Sequence, residues 1–151
     1  LIIDMPPGTG DIQLTLAQNI PVTAAMVVTT PQDVALLDAR KGIVMFNKVD
    51  VPVLGVVENM SVHICSQCGF HEPIFGTGGA EKLAEDYGIE LLGQIPLHIS
   101  LREDLDAGEP TVIRQPDSEF TQLYRRMAAT VAAKLYWQGE VIPADISFRA
   151  L

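Results

Sequence analysis

The sequence predicts an α/β fold, a mostly parallel sheet with helices on both faces, and two observations carry that prediction. Four short β-rich runs recur at residues 1–4, 24–29, 53–58 and 90–95, each bounded by turn residues. Between them lie segments with helical spacing, and buried strands alternating with helices are the mark of a parallel sheet covered on both sides. With 151 residues and 48% apolar composition, the chain is long enough for one proper core. No internal repeat, low-complexity tract or linker interrupts it, so residues 1–151 read as a single domain.

Taken in order, the first run is Leu1-Ile2-Ile3-Asp4, an apolar stretch that reads as a buried strand. It opens without an initiator Met or a polar lead-in, so an N-terminal portion of the natural protein is expected to lie outside this chain. Residues 32–48 place Val34, Leu37, Val44 and Met45 near one helical face, with Asp38, Arg40, Lys41 and Lys48 on a polar side. Residues 80–87 read as a two-turn helix ended by Gly88, which accepts the positive φ of a C′ position. Residues 100–107, with Leu101 and Leu105 one turn apart and Gly108 after them, read as another short helix. The last helix is the best defined: Asp117 or Ser118 can cap a stripe of Phe120, Leu123, Tyr124, Met127, Val131 and Leu135. The tail 137–151 has no periodicity, and its Trp137, Val141, Ile142 and Phe148 favour docking over the domain.

Ten basic against nineteen acidic residues give a formal charge of −9. A protein that binds nucleic-acid backbone needs a basic face to release counterions, so no nucleic-acid partner is expected. The longest apolar runs are too short to span a bilayer and no signal-peptide pattern opens the chain, so no membrane partner and a cytoplasmic location are expected. In a reducing compartment a Cys-x-x-Cys pair is more often a metal or redox site than a structural disulfide.

Three places could carry chemistry. The first is Asp4-Met5-Pro6-Pro7-Gly8-Thr9-Gly10-Asp11, an acid at the carboxyl end of a strand followed by a Gly-containing loop. Open α/β sheets bind ligands in that crevice, and in P-loop NTPases it is the Walker B position, whose Asp helps to hold Mg²⁺. The plain alternative is a tight turn with Asp11 capping the next helix. The second is Asn59, which closes the third strand; its planar amide suits a purine edge, or else it caps a turn. No Gly-x-x-x-x-Gly-Lys-Ser/Thr motif occurs. The segment Gly76-Thr77-Gly78-Gly79-Ala80-Glu81-Lys82 has the wrong spacing for one and reads as a turn feeding a helix, whose N-terminus could meet an anion.

The third place holds the only two cysteines, Cys65 and Cys68. Two thiolates are half of a tetrahedral Zn²⁺ or iron–sulfur site. His63 and His71 could close a Cys₂His₂ zinc site within one chain, although His63 makes a short and awkward chelate. Two chains could instead supply two thiolates each around a shared cluster, because a twofold interface repeats one patch on both subunits. A thiol–disulfide couple is a third reading, disfavoured by Gly69, since such cysteines usually open a helix. Two cysteines without a ligand are the fourth.

Together, Leu1-Ile2-Ile3-Asp4-Met5-Pro6-Pro7-Gly8, Thr29-Thr30-Pro31-Gln32-Asp33, Gly55-Val56-Val57-Glu58-Asn59-Met60-Ser61, Cys65-Ser66-Gln67-Cys68 and Ile95-Pro96-Leu97-His98 resemble the Mrp/ApbC family of iron–sulfur cluster carrier ATPases. The ordered set is specific, whereas each motif alone is weak. The resemblance implies a P-loop NTPase type of fold, incomplete here at its N-terminus, a homodimer, and transfer of clusters to acceptor apoproteins. It implies a [4Fe-4S] cluster bridged between two subunits by Cys65 and Cys68 of each, and ATP with Mg²⁺ as the nucleotide of the full-length protein. It makes Asp4 the Walker B acid, Gly8 part of the nucleotide-sensing loop and Asn59 a contact to adenine, and it places Asp38 near a nucleotide-dependent interface. Because the phosphate loop of the family is absent from this chain, the chain is expected not to hydrolyse ATP alone. The competing reading is a zinc-stabilised interaction module without nucleotide activity. A membrane-positioning ATPase is disfavoured, since such proteins use an amphipathic C-terminal helix that the tail with Pro143 does not offer.

Overall fold

The computed structural model describes residues 1–6, 8 and 10–138. Its elements are α1 (Asp11–Asn19), β1 (Ala25–Thr29), α2 (Asp33–Lys48), β2 (Val53–Ile64), β3 (His71–Glu72), α3 (Gly79–Tyr87), β4 (Glu90–Leu97), α4 (Ile99–Asp106), α5 (Thr111–Arg114) and α6 (Glu119–Gln138). β2 is the central strand, pairing in parallel with β1 on one side and β4 on the other. The two-residue β3 pairs antiparallel with the far end of β2. His63 of β2 faces Leu97 of β4 on one side and Glu72 of β3 on the other, so β3 lies on the same side of β2 as β1, beyond the point where β1 stops.

Helices cover both faces, as the alternation of strands and helices predicts. On one face α2 and α3 bury Ala39, Ile43, Ala80, Leu83 and Ala84 against Val27 and Val56. On the other, Met127 of α6 meets Leu54, Val57 and Leu92, with Leu123, Tyr124, Val131 and Leu135 packed around them. The predicted stripe of α6 is thus its packing face, and the Ser118 hydroxyl caps the helix by accepting the Thr121 N–H at 3.2 Å. Close approach is built into the sheet at Gly93, where an added Cβ would collide with Met127. Gly88 ends α3 at φ 63°, and the Ile89 N–H closes the turn on Ala84 O at 3.0 Å.

Three expectations need correction. Residues 1–4 are not a strand: they pair with none of the described strands, and Leu1 and Ile2 are fully exposed. Apolar character favours burial but supplies no hydrogen-bonding partner, and strand β1 pairs only with β2. The buried residues of α2 are Ala39, Ile43, Met45 and Phe46 with Leu36 beside them; of the expected face Met45 is buried, while Val34, Leu37 and Val44 are exposed. The two lines differ by one or two positions, and only contact with β1 and α3 decides between them. On α4, Leu101 is buried but Leu105 is exposed. The docking expected of the tail falls largely on residues 139–151, outside the described residues; Trp137 lies in the last turn of α6, exposed and edge-on to Tyr136. Among the described residues no helix is long and apolar enough to cross a membrane.

Candidate functional site

Strand β2 is twice as long as its apolar run predicts, and its second half builds the site. Residues 53–58 are buried or nearly so, whereas 59–64 are all half-buried. At the junction Met60 takes φ 55°, a left-handed conformation uncommon for a residue with a side chain. The Asn59 side chain supports this kink, its Oδ1 accepting the Met60 N–H at 2.9 Å. The turn-capping reading therefore describes Oδ1, and Nδ2 remains as the donor that a base could meet.

Beyond Ile64 the chain turns back through Cys65-Ser66-Gln67-Cys68-Gly69-Phe70 into β3. The Cys65 N–H donates to Phe70 O at 3.0 Å, and the Gly69 N–H donates to Cys65 O at 2.8 Å. Gly69 holds φ 69°, which a residue lacking Cβ adopts freely. This closed turn aims backbone donors at one sulfur. The Gln67 N–H, then the Cys68 N–H and then the Cys68 thiol hold the Cys65 pKa below the ordinary thiol value, against a smaller opposing effect of desolvation. Cys65 is half-buried and Cys68 exposed, and both are unpaired by disulfide. The turn thus presents two accessible sulfurs, one of them with backbone N–H groups that favour its ionised form.

The single-chain zinc site does not form. In the β2–β3 ribbon His63 stands opposite Glu72 and Ile64 opposite His71. Directly paired residues share a face and neighbours alternate, so His63 and His71 lie on opposite faces of the ribbon. Among the described residues no group of three or more His, Cys, Asp or Glu is placed to hold a metal ion. Two thiolates are what this chain offers.

The other predicted residues are more loosely placed. Asp4 is exposed in the irregular opening segment. Gly8 has φ 99°, and the Gln13 side chain donates to Pro6 O at 3.1 Å, fastening the turn to α1. Gly10, not Asp11, is the N-cap of α1. Asn59 and the cysteines share β2 and its turn, but no described hydrogen bond or strand pairing joins Asp4 or Gly8 to them. Asp38 is exposed and ion-paired with Lys41.

One buried group goes unnoticed in the sequence. Glu58 is 1% exposed; its Oε2 accepts the Ala80 N–H at 3.1 Å and its Oε1 accepts from Gln94 Nε2 at 2.9 Å. The anion that meets the N-terminus of α3 is therefore the chain's own carboxylate. The available signal was a charged residue closing a continuous apolar run, two positions beyond Val56, on the face that α3 covers.

The chain is similar over its whole length to the iron-sulfur cluster carrier protein of Escherichia coli strain K12, with 79% identity, and it spans 41% of that protein. It is 52% identical over 135 residues to the iron-sulfur cluster transfer protein NUBPL of Mus musculus, covering 89% of this chain and 42% of that one. The chain thus spans about two fifths of the length of these curated relatives. Among solved structures, a nucleotide-binding protein from Archaeoglobus fulgidus in complex with ADP superposes with a TM-score of 0.64 and 35% identity, over 78% of this chain and 47% of the other. The parallel sheet with helices on both faces is thus shared with a nucleotide-binding protein, and the sequence is shared with iron–sulfur carriers. A family model matches residues 1–132, and the chain belongs to the NUBPL iron-transfer P-loop NTPase family.

Proposed function

We propose that this chain is the cargo-holding part of an iron–sulfur cluster carrier. Cys65 and Cys68 of one copy and the same pair of a second copy hold a [4Fe-4S] cluster across a twofold axis, and the cluster passes to the cysteines of acceptor apoproteins in the cytoplasm. The observation that carries this reading is the exposed turn: two accessible sulfurs, backbone donors on Cys65, and no third ligand close by among the described residues. Four-thiolate ligation then needs two copies.

Transfer is ligand exchange. An acceptor thiol loses its proton and bonds to iron as one Fe–S bond to Cys65 or Cys68 breaks, and the released sulfur takes up a proton or stays as thiolate. Iron and sulfide keep their oxidation states. N–H donors favour the freed thiolate at Cys65, and an exposed site gives the acceptor access to the cluster.

In the whole protein, ATP with Mg²⁺ biases the pairing of the two copies. Asp4 would stand near the metal, Gly8 near the γ-phosphate and Asn59 would offer Nδ2 to adenine. The test is anaerobic reconstitution with ferrous iron and sulfide. A brown, oxygen-sensitive product with about four irons per pair of chains is expected from Cys₄ ligation. A colourless protein with one zinc per chain would sink the reading.

A further inference from the structure

We infer that Glu58 is a positioning residue that sets the orientation of the cysteine turn, an inference that rests on the carrier reading above. Residues 59–79 form one excursion beyond the buried core, leaving at the end of the buried half of β2 and returning at the start of α3; its first part stays in the sheet, pairing with β4 at Asn59 and His63 across a register irregularity. None of the residues in that excursion is buried. Side-chain burial therefore cannot orient it, and its strand pairing amounts to two residue pairs with β3 and two with β4.

The base of the excursion is fastened separately. The Glu58 carboxylate bonds to Ala80 N–H, 22 residues along the chain, and so closes the two ends upon each other. The same carboxylate accepts from Gln94, its direct neighbour on β4, which locks the clamp to the centre of the sheet. Just before Ala80, a Cβ on Gly79 would lie 3.1 Å from Pro31 O, so the returning chain also runs tightly beside the loop after β1. Carboxylates at helix N-termini are favoured by the N–H groups and dipole there, and such charge-assisted bonds are stronger than neutral ones. Loss of the clamp leaves the excursion held by those few strand pairs alone, so that it shifts more widely beyond Met60 without unfolding the sheet.

Glu58→Leu removes both acceptors, whereas Glu58→Gln keeps an oxygen for Ala80 and can present its amide to Gln94. Two measurements test the role. The first is the distribution of distances between nitroxides on Cys68 and on Ala128→Cys, an exposed site on α6, in cluster-free Cys65→Ser protein. The second is the rate at which a ferrous chelator strips iron from the reconstituted protein with both cysteines, well below its melting temperature. In Glu58→Leu the distance distribution widens and iron release quickens by roughly tenfold, the order expected for one lost buried bond to a charged group. In Glu58→Gln both stay close to the parent. A Glu58 that merely stabilised the fold would lower the melting temperature while leaving distance width and iron release unchanged, and that result overturns the inference. Widening without faster release overturns it as well. If Glu58→Leu does not fold, Gln94→Leu decides, because Gln94 is exposed and its loss removes only the outer bond: about threefold faster release is expected, and no change overturns. If the parent holds no iron, the carrier reading falls, and the label distances alone decide whether Glu58 orients the turn.

Discussion

The two halves of strand β2 differ in almost every physical respect, although they are one continuous element. Residues 53–58 lie between two neighbouring strands and under helices on both faces, with Val56 fully buried. Residues 59–64 are half-buried, kink at the left-handed Met60, and lead to exposed sulfur. The inner half derives its order from packing, and the outer half from a few hydrogen bonds. Under the proposed function that division is useful, because the part that would release a cluster is held by interactions that do not also hold the core.

The contrast can be broken most severely at the sulfurs. Cys65→Ser or Cys68→Ser should abolish iron loading, measured as iron per chain after anaerobic reconstitution, while the melting temperature stays that of the parent; a large drop in melting temperature would show that the turn supports the core after all. Next in size is Val56→Ala in the inner half, expected to cost about 2–3 kcal/mol of stability in denaturant unfolding, with loading of the folded fraction intact. Its counterpart Val62→Ala in the half-buried outer half should cost less than about 1 kcal/mol, and equal costs would erase the distinction. Gly69→Ala is smaller and local. The added Cβ meets nothing within 4 Å, so the cost is the left-handed backbone alone, about 1 kcal/mol, read as weaker retention of iron against a chelator. The smallest effect concerns pH. Backbone donors lower the Cys65 pKa, so its thiolate fraction at a given pH is larger than that of a free thiol. In the Cys68→Ala protein the two backbone donors remain, and the rate of Cys65 alkylation by iodoacetamide should still rise with a midpoint below that of the denatured chain. Coincident midpoints would mean that the N–H groups do not reach the sulfur.

How much of this is legible in the sequence follows the same division. The run 53–58 stands out because β-branched and apolar residues cluster where a strand is buried on both faces, and 90–95 because Leu91, Leu92 and Ile95 follow the turn at Gly88. The outer half of β2 breaks the apolar run at Asn59, Ser61 and His63, and its signal is instead the strict alternation of Asn59-Met60-Ser61-Val62-His63-Ile64, the pattern of a half-buried strand. The spacing of Cys65 and Cys68 marks the site, and Gly69 marks its turn, but the opposite facing of His63 and His71 depends on a register that only the paired strands define. Glu58 was hidden for a related reason: its partners are 22 and 36 residues away, and no local pattern announces a carboxylate that caps a distant helix. The face of α2 was misread because two apolar lines compete on it and tertiary contact chooses.

The position of β3 has a consequence for the protein in its emptied state. β3 lies on the side of β2 where β1 has ended, so His63 and Ile64 have a neighbour there instead of an open backbone edge. An uncovered edge is a template for strands of other chains, and cells of any kind contend with the aggregation that follows. The little hairpin is therefore also a guard. Damage that opens the turn between Cys65 and Phe70 would leave two loose thiols and, beside them, an adhesive strip of unpaired strand.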